Sequence, residues 1–209
     1  MKRAMSSVFV FVLGAFAGCG SVPAEHFYTL TAEAQGQRTA AGGTAARGTT
    51  DTAADSSIYV GPVTLAEIVD RPQLVVQVAA NRVAIREQRR WAEPLASEIP
   101  RVVALNLARQ LGTVKVSADP RAALADAAFR VALDVQRFEA IPGEAVNIEV
   151  LWTVRKSAGG EAVSGRSVAN EPIVTSGYDA IVAAHSRALA AVSRDIAGAI
   201  TRSTASGPK

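Results

Sequence analysis

Apolar residues recur along this chain with two different periods, and the changes of period mark its elements. Ile58-Tyr59-Val60-Gly61-Pro62-Val63 reads as a strand stopped by turn residues. Gln73 to Ala79 places Leu74, Val76 and Val78 on one face at period two. Asn81 then supports a tight turn, and Val83 and Ile85 alternate with Ala84 and Arg86 on the way back, which predicts a hairpin. The period changes at Leu95, Ile99, Val103, Leu107 and Leu111, with Val102 widening the stripe, and Gly112 closes an amphipathic helix. Pro100 lies inside that pattern, so either the regular helix begins there or it is kinked.

Thr113 to Ser117 reads as a short strand, and Asp119-Pro120 breaks the chain. Phe129, Val131, Leu133 and Val135 then alternate with Arg130, Ala132, Asp134 and Gln136, Pro142-Gly143 turns the chain, and Val146, Ile148, Val150, Trp152 and Val154 alternate on the return. Two long antiparallel strands with one apolar face follow from that pattern. A third strand is expected around Ser164 to Pro172. Tyr178, Ile181, Val182, His185, Leu189, Val192, Ile196 and Ile200 form a final helical stripe whose alanine-rich flanks permit close packing. The order predicts an α+β fold, a largely antiparallel sheet with two main helices packed on one face.

The first residues belong to none of these elements. Met1-Lys2-Arg3 is basic, and Val8 to Phe16 is an apolar run too short to span a bilayer, the anatomy of a secretory leader over residues 1–18. Phe16-Ala17-Gly18-Cys19 resembles a bacterial lipoprotein processing box, in which Cys19 would be lipidated and become the mature amino terminus. Gly20 in place of Asp favours sorting to the outer membrane. His26-Phe27-Tyr28-Thr29-Leu30 is β-prone. It is either a strand docked on the domain or part of a tether, and its aromatic content favours the docked strand. Thr31 to Ser56, rich in Ala, Gly and Thr, has little to bury and is expected to be a flexible linker. The expected organisation is a leader at 1–18, a lipidated amino terminus with a short strand and linker at 19–56, a domain at 57–203, and a disordered tail at 204–209.

Composition changes the picture mainly through what it excludes. The formal charge of +3 includes two cations of the leader, and removing them leaves 20 Lys and Arg against 19 Asp and Glu. A surface so balanced has no long-range field to gather nucleic acid. One cysteine forms no internal disulfide and no multi-thiolate zinc site. The catalytic inventory is thin. His185 sits on an apolar stripe where a core role is the plainer reading, His26 lies close to the leader, and no nucleophile elbow or phosphate-binding loop is visible. No catalytic residue, metal or cofactor is therefore expected. Arg86-Glu87-Gln88-Arg89-Arg90 reads as a solvated strand or loop, or more sharply as an interaction surface. Trp152 is expected in the core, and Trp91, at a strand-to-helix junction, as an exposed indole suited to partner contact.

Four strings in order behind the leader carry a resemblance. They are Phe27-Tyr28-Thr29-Leu30, Val60-Gly61-Pro62-Val63-Thr64-Leu65, Asp70-Arg71-Pro72-Gln73-Leu74-Val75 and Arg90-Trp91-Ala92-Glu93-Pro94-Leu95. From the leader to Leu111 the chain resembles the ABC-type transport auxiliary lipoproteins of the PqiC type. The resemblance implies a non-enzymatic outer-membrane lipoprotein, facing the periplasm, that works with an inner-membrane transporter and a periplasm-spanning MCE-domain protein in phospholipid transport between membranes. A ring-like homo-oligomer fits the same family. Candidate partner-contact residues are Asp70, Arg71, Arg90, Trp91 and Glu93. The plainer readings are a turn at Asp70-Arg71-Pro72 and a local Arg90–Glu93 ion pair at the helix entrance. An envelope-assembly or cell-wall-synthase regulatory lipoprotein is the alternative function.

Overall fold

A computed structural model describes residues 24–33, 56–121, 127–159 and 161–205. The expected leader, Cys19, most of the expected linker and residues 206–209 of the expected tail lie outside the described residues, whereas 204 and 205 belong to the last helix. Eight strands and two long helices follow in the order β1 (His26–Tyr28), β2 (Ile58–Leu65), β3 (Gln73–Ala79), β4 (Arg82–Trp91), α1 (Leu95–Leu111), β5 (Val116–Ser117), β6 (Phe129–Ile141), β7 (Ala145–Lys156), β8 (Val163–Pro172) and α2 (Tyr178–Ala205).

β6 is the spine of the sheet. One of its edges is taken along nearly its whole length by β7, which in turn pairs with β8. A strand has only two edges, so β2 and β3 share the other: β2 runs beside Phe129 to Val135, and β3 meets β6 at Ala140. β5 extends the β2 side, and β4 followed by β1 extends the β3 side. The alternation in β6 changes parity at a bulge between Val135 and Arg137. Phe129, Val131, Leu133 and Val135 face the core before it, and Phe138 and Ala140 after it. One extra residue at Gln136 resets which positions face inward.

The sheet is mixed, which corrects the expected largely antiparallel one. Four of its seven strand pairings are parallel and three are antiparallel. The three antiparallel pairings join strands that follow one another in sequence, and periodicity reveals those. All four parallel pairings join strands separated by other elements, and no local pattern encodes them.

Both helices cover one face. α1 packs on β2 and β5, α2 packs on β7 and β8, and the helices pack on each other. Gly112 adopts the left-handed conformation at φ 67°, ψ 30°, and caps α1 as its position in the sequence predicts. Pro100 is inside α1, whose first residue is Leu95. The proline offers no N–H to the Ala96 carbonyl, yet the helix continues. On the sheet, Gly165 stands opposite Trp152, and a Cβ there would lie 2.2 Å from the indole ring. The glycine lets the indole lie across β8, where Nε1 donates to the Ser167 hydroxyl at 3.0 Å and that hydroxyl donates to Asp195 of α2 at 2.5 Å. Trp152 is thus a core residue, as expected, and a polar tie between sheet and helix.

Candidate functional site

The amino-terminal segment is docked. β1 pairs in parallel with β4, His26 against Arg89 through Tyr28 against Trp91, and the Ala92 N–H donates to the Tyr28 carbonyl at 2.8 Å. Beyond Tyr28 the chain leaves the sheet, and its backbone donors must find other acceptors. The helices supply them. The Leu30 N–H donates to Glu98 at 2.7 Å, the Thr31 N–H to the Ser186 hydroxyl at 3.1 Å and the Glu33 N–H to Asn106 at 3.1 Å. The Thr29 hydroxyl also donates to Glu98, and Arg109 donates to the Glu33 carbonyl. Leu30 itself is buried. Thr31 and Glu33 are therefore held to the domain, which moves the earliest start of the expected linker past Glu33.

Glu98 is the centre of this clamp. It is fully buried on the apolar face of α1, with Arg101 at 3.4 Å and with its second carboxylate oxygen unpartnered. Burial raises its pKa, against the hydrogen bonds from Thr29 and Leu30 and the Arg101 charge, which pull it down. A carboxylate directly before Ile99 in an apolar stripe was the sequence signal for this residue. Thr29, Asn106, Ser186 and Arg109 carried none, because only the fold brings them to one strip of backbone.

The quoted strings meet at a second place, beside the first. The Trp91 N–H donates to the Pro72 carbonyl at 2.7 Å, and Gln73 stands against Arg90, so the Asp70-Arg71-Pro72 turn abuts the end of β4. Arg90 pairs with Glu25 at 3.2 Å and Glu93 with Arg101 at 3.7 Å, in place of the expected Arg90–Glu93 pair. Asp70 and Glu93 are exposed, and Arg71 is partly buried with an unpartnered Nε.

Trp91 is not an exposed contact residue. Only 6% of it is accessible, and its ring packs against Phe138 and His185 at centroid distances of 6.1 and 5.8 Å. β4 runs straight into the junction and turns the indole inward, where a large apolar ring is most stable.

His185 is a core residue. Phe138 lies 4.3 Å from it between ring centroids, and Nδ1 is 3.0 Å from the Ile181 carbonyl. Desolvation brings its pKa down to about 4, which leaves the ring neutral near pH 7. Among the described residues, no group of three or more His, Cys, Asp or Glu is placed to hold a metal, and no helix is long and apolar enough to cross a membrane.

A family model described as the ABC-type transport auxiliary lipoprotein component matches residues 28–197. No curated protein matches the chain in sequence. Among solved structures, a Xanthomonas campestris protein superposes with a TM-score of 0.66 at 19% identity, over 88% of this chain and 99% of that one. A second crystal structure, of an uncharacterized protein, superposes with a TM-score of 0.64 at 18% identity, over 85% and 99% of the two chains. At these identities the likeness concerns the fold.

Proposed function

Because the chain belongs to the ABC-type transport auxiliary lipoproteins, we propose that it is a non-enzymatic subunit of an ABC-type system that moves phospholipid between membranes. In this reading it is held to the periplasmic face of the outer membrane by lipid on Cys19. The observation that carries the reading is the docked amino-terminal segment. Ala24, the first described residue, lies five positions after Cys19. Five residues reach at most about 18 Å, so an anchor on Cys19 holds the domain against the membrane and not at the end of a long tether. One acyl chain gives only marginal attachment, and stable anchoring needs the several chains of a mature lipoprotein.

The partners in this reading are a periplasm-spanning MCE-domain protein and the inner-membrane transporter, with a ring of identical subunits as the assembly. The contact surface is the β2–β3 turn and the β4–α1 junction, with Asp70 and Glu93 exposed, Arg71 and Arg90 half-buried beside them and Trp91 as the support beneath them. Labelled palmitate should enter the wild-type protein and not Cys19→Ser. Equal labelling of both would end the anchor reading. Purification of the native complex in detergent should bring down the transporter and the MCE-domain protein, and charge reversal at the exposed Asp70 should weaken that capture without lowering thermal stability.

A further inference from the structure

The β3–β4 ribbon runs beyond the rest of the sheet. β3 meets β6 only at Ala140, one residue before β6 ends, and β1 covers β4 only from Arg89 onward. Between these points the two strands pair with each other, Val75 with Ile85, Gln77 with Val83 and Ala79 with Arg82. This free end exposes large apolar side chains, with Val78 41%, Val83 44% and Ile85 39% accessible. Val83 and Ile85, two apart on β4, share one face of the ribbon, and neighbouring half-exposed apolar side chains on an unpaired hairpin end suit an apolar partner.

The chemistry around the valines narrows the partner. From Gln73 to Arg86 there is no acidic residue; Arg82 at the tip is exposed, and Arg86, half-buried with its Nε unpartnered, closes the stretch. Glu87 follows Arg86 and accepts from Gln73 at the base of the ribbon, and Glu144 lies in the β6–β7 turn, where its carbonyl accepts from the Ile173 N–H next to the exposed Val174. Apolar side chains between arginines suit the boundary of a bilayer with an anionic surface, where the hydrocarbon takes the valines and the phosphates attract the guanidinium groups.

Chain direction gives the second argument. β3 is parallel to β6, so the ribbon tip lies at the Ile141 end of the sheet. β4 runs back from the tip, and β1 is parallel to β4, so the chain preceding His26 leads toward the tip. Ala24 already lines a shallow hollow with Ile85 and Arg86. Cys19 lies seven residues before His26. Those residues reach about 24 Å when extended, close to the span of about 23 Å that β4 covers from Arg82 to Arg89.

We infer that the tip of the β3–β4 ribbon, with Val78, Arg82, Val83, Ile85 and Arg86, lies in the phospholipid headgroup layer of the membrane that holds the Cys19 lipid. The inference rests on the reading of Cys19 as lipidated. The test uses full-length, palmitate-labelled protein reconstituted in vesicles of phosphatidylethanolamine and phosphatidylglycerol carrying brominated acyl chains. A tryptophan is placed at the tip by Val83→Trp, and another at the far end of the sheet by Val114→Trp, a position that is 95% exposed beside β5. The native Trp91 and Trp152 are buried in both variants and give a common background.

The tip probe should shift to the blue and be quenched by bromine, the far probe should do neither, and the tip signal should weaken when phosphatidylcholine replaces phosphatidylglycerol. Ile85→Trp repeats the measurement should Val83→Trp fail to melt like the wild type. Labelled protein with equal quenching at both ends, or with none, overturns the inference and leaves the anchor intact. A tip shift that grows with protein-to-lipid ratio and lacks quenching assigns the tip to a second copy of the chain and overturns it too. Unlabelled protein overturns the anchor and the inference together.

Discussion

The β6–β7–β8 sheet with α2 and the amino-terminal segment belong to one domain but are fastened by different means. The first is held by long backbone ladders and by a continuous apolar layer that includes Ile148, Leu189, Ile196 and Ile200, all nearly inaccessible. Each such side chain contributes roughly 1.5–3 kcal/mol of burial. The segment from Ala24 to Glu33 has three paired strand residues and one buried leucine, and the rest of its hold is polar. Hydrogen bonds of that kind net about 0.5–1.5 kcal/mol each. The sheet region is therefore expected to open only with global unfolding, and the segment to open locally at lower cost. That difference matters if a lipid at Cys19 pulls on the domain, because the load enters through the weaker region.

The sharpest break of this comparison is at Trp91, which bridges the two regions. Trp91→Ala should cost about 3–5 kcal/mol of global stability, the range for deleting a buried aromatic ring, read by denaturant unfolding of the domain. A loss below about 1 kcal/mol, the size of an ordinary surface change, would return the indole to the surface.

Acidification should pull the regions in opposite directions. His185 has its folded pKa depressed to about 4, so its contribution is present above the unfolded value and is lost as pH falls from about 6.5 toward 4. The loss is on the order of 3 kcal/mol. His185→Asn, whose amide can still donate to the Ile181 carbonyl, should flatten that part of the stability profile. Glu98 has its pKa raised, so its contribution is fully present below the unfolded carboxylate value and fades as pH rises through the folded one. Between neutral pH and the carboxylate range the core should weaken while the clamp tightens. A profile of the same slope in both regions, measured by hydrogen exchange at several pH values, would contradict the assignment.

The smallest effect is expected at the clamp itself. Glu98→Ala orphans the Leu30 N–H and should cost about 1–3 kcal/mol. Exchange should quicken at residues 26–33 and stay unchanged along β7. Glu98→Gln keeps an acceptor for Leu30 and removes the charge, so it should hold the segment at neutral pH at least as well as the native residue. Faster exchange across the whole sheet in Glu98→Ala would mean that segment and core unfold as one unit.

The elements were legible because their signals are local. The β3–β4 hairpin, the Pro142-Gly143 turn between β6 and β7, the Gly112 cap and the stripe of α2 each follow from residues within a few positions of one another. The bulge at Gln136 was not legible, since a single extra residue looks the same as the end of a strand. The burial of Trp91 is hidden from the sequence for a similar reason: a junction in sequence looks like a surface, and only the packing of Phe138 and His185 behind it makes it a core position.

Local periodicity alone specifies the identity and order of nearly every element. The four strings and the box at Cys19 also pointed to the family. The tertiary structure alone decided the parallel pairings of β6 with β2 and β3, the docking of β1 on β4, and the meeting of Glu98, Asn106 and Ser186 with one strip of backbone. Periodicity records which face of an element avoids water, and burial of that face is indifferent to which other element covers it. Partner choice is set by long-range packing and by the need to satisfy every buried donor, and neither leaves a mark within a window of neighbouring residues.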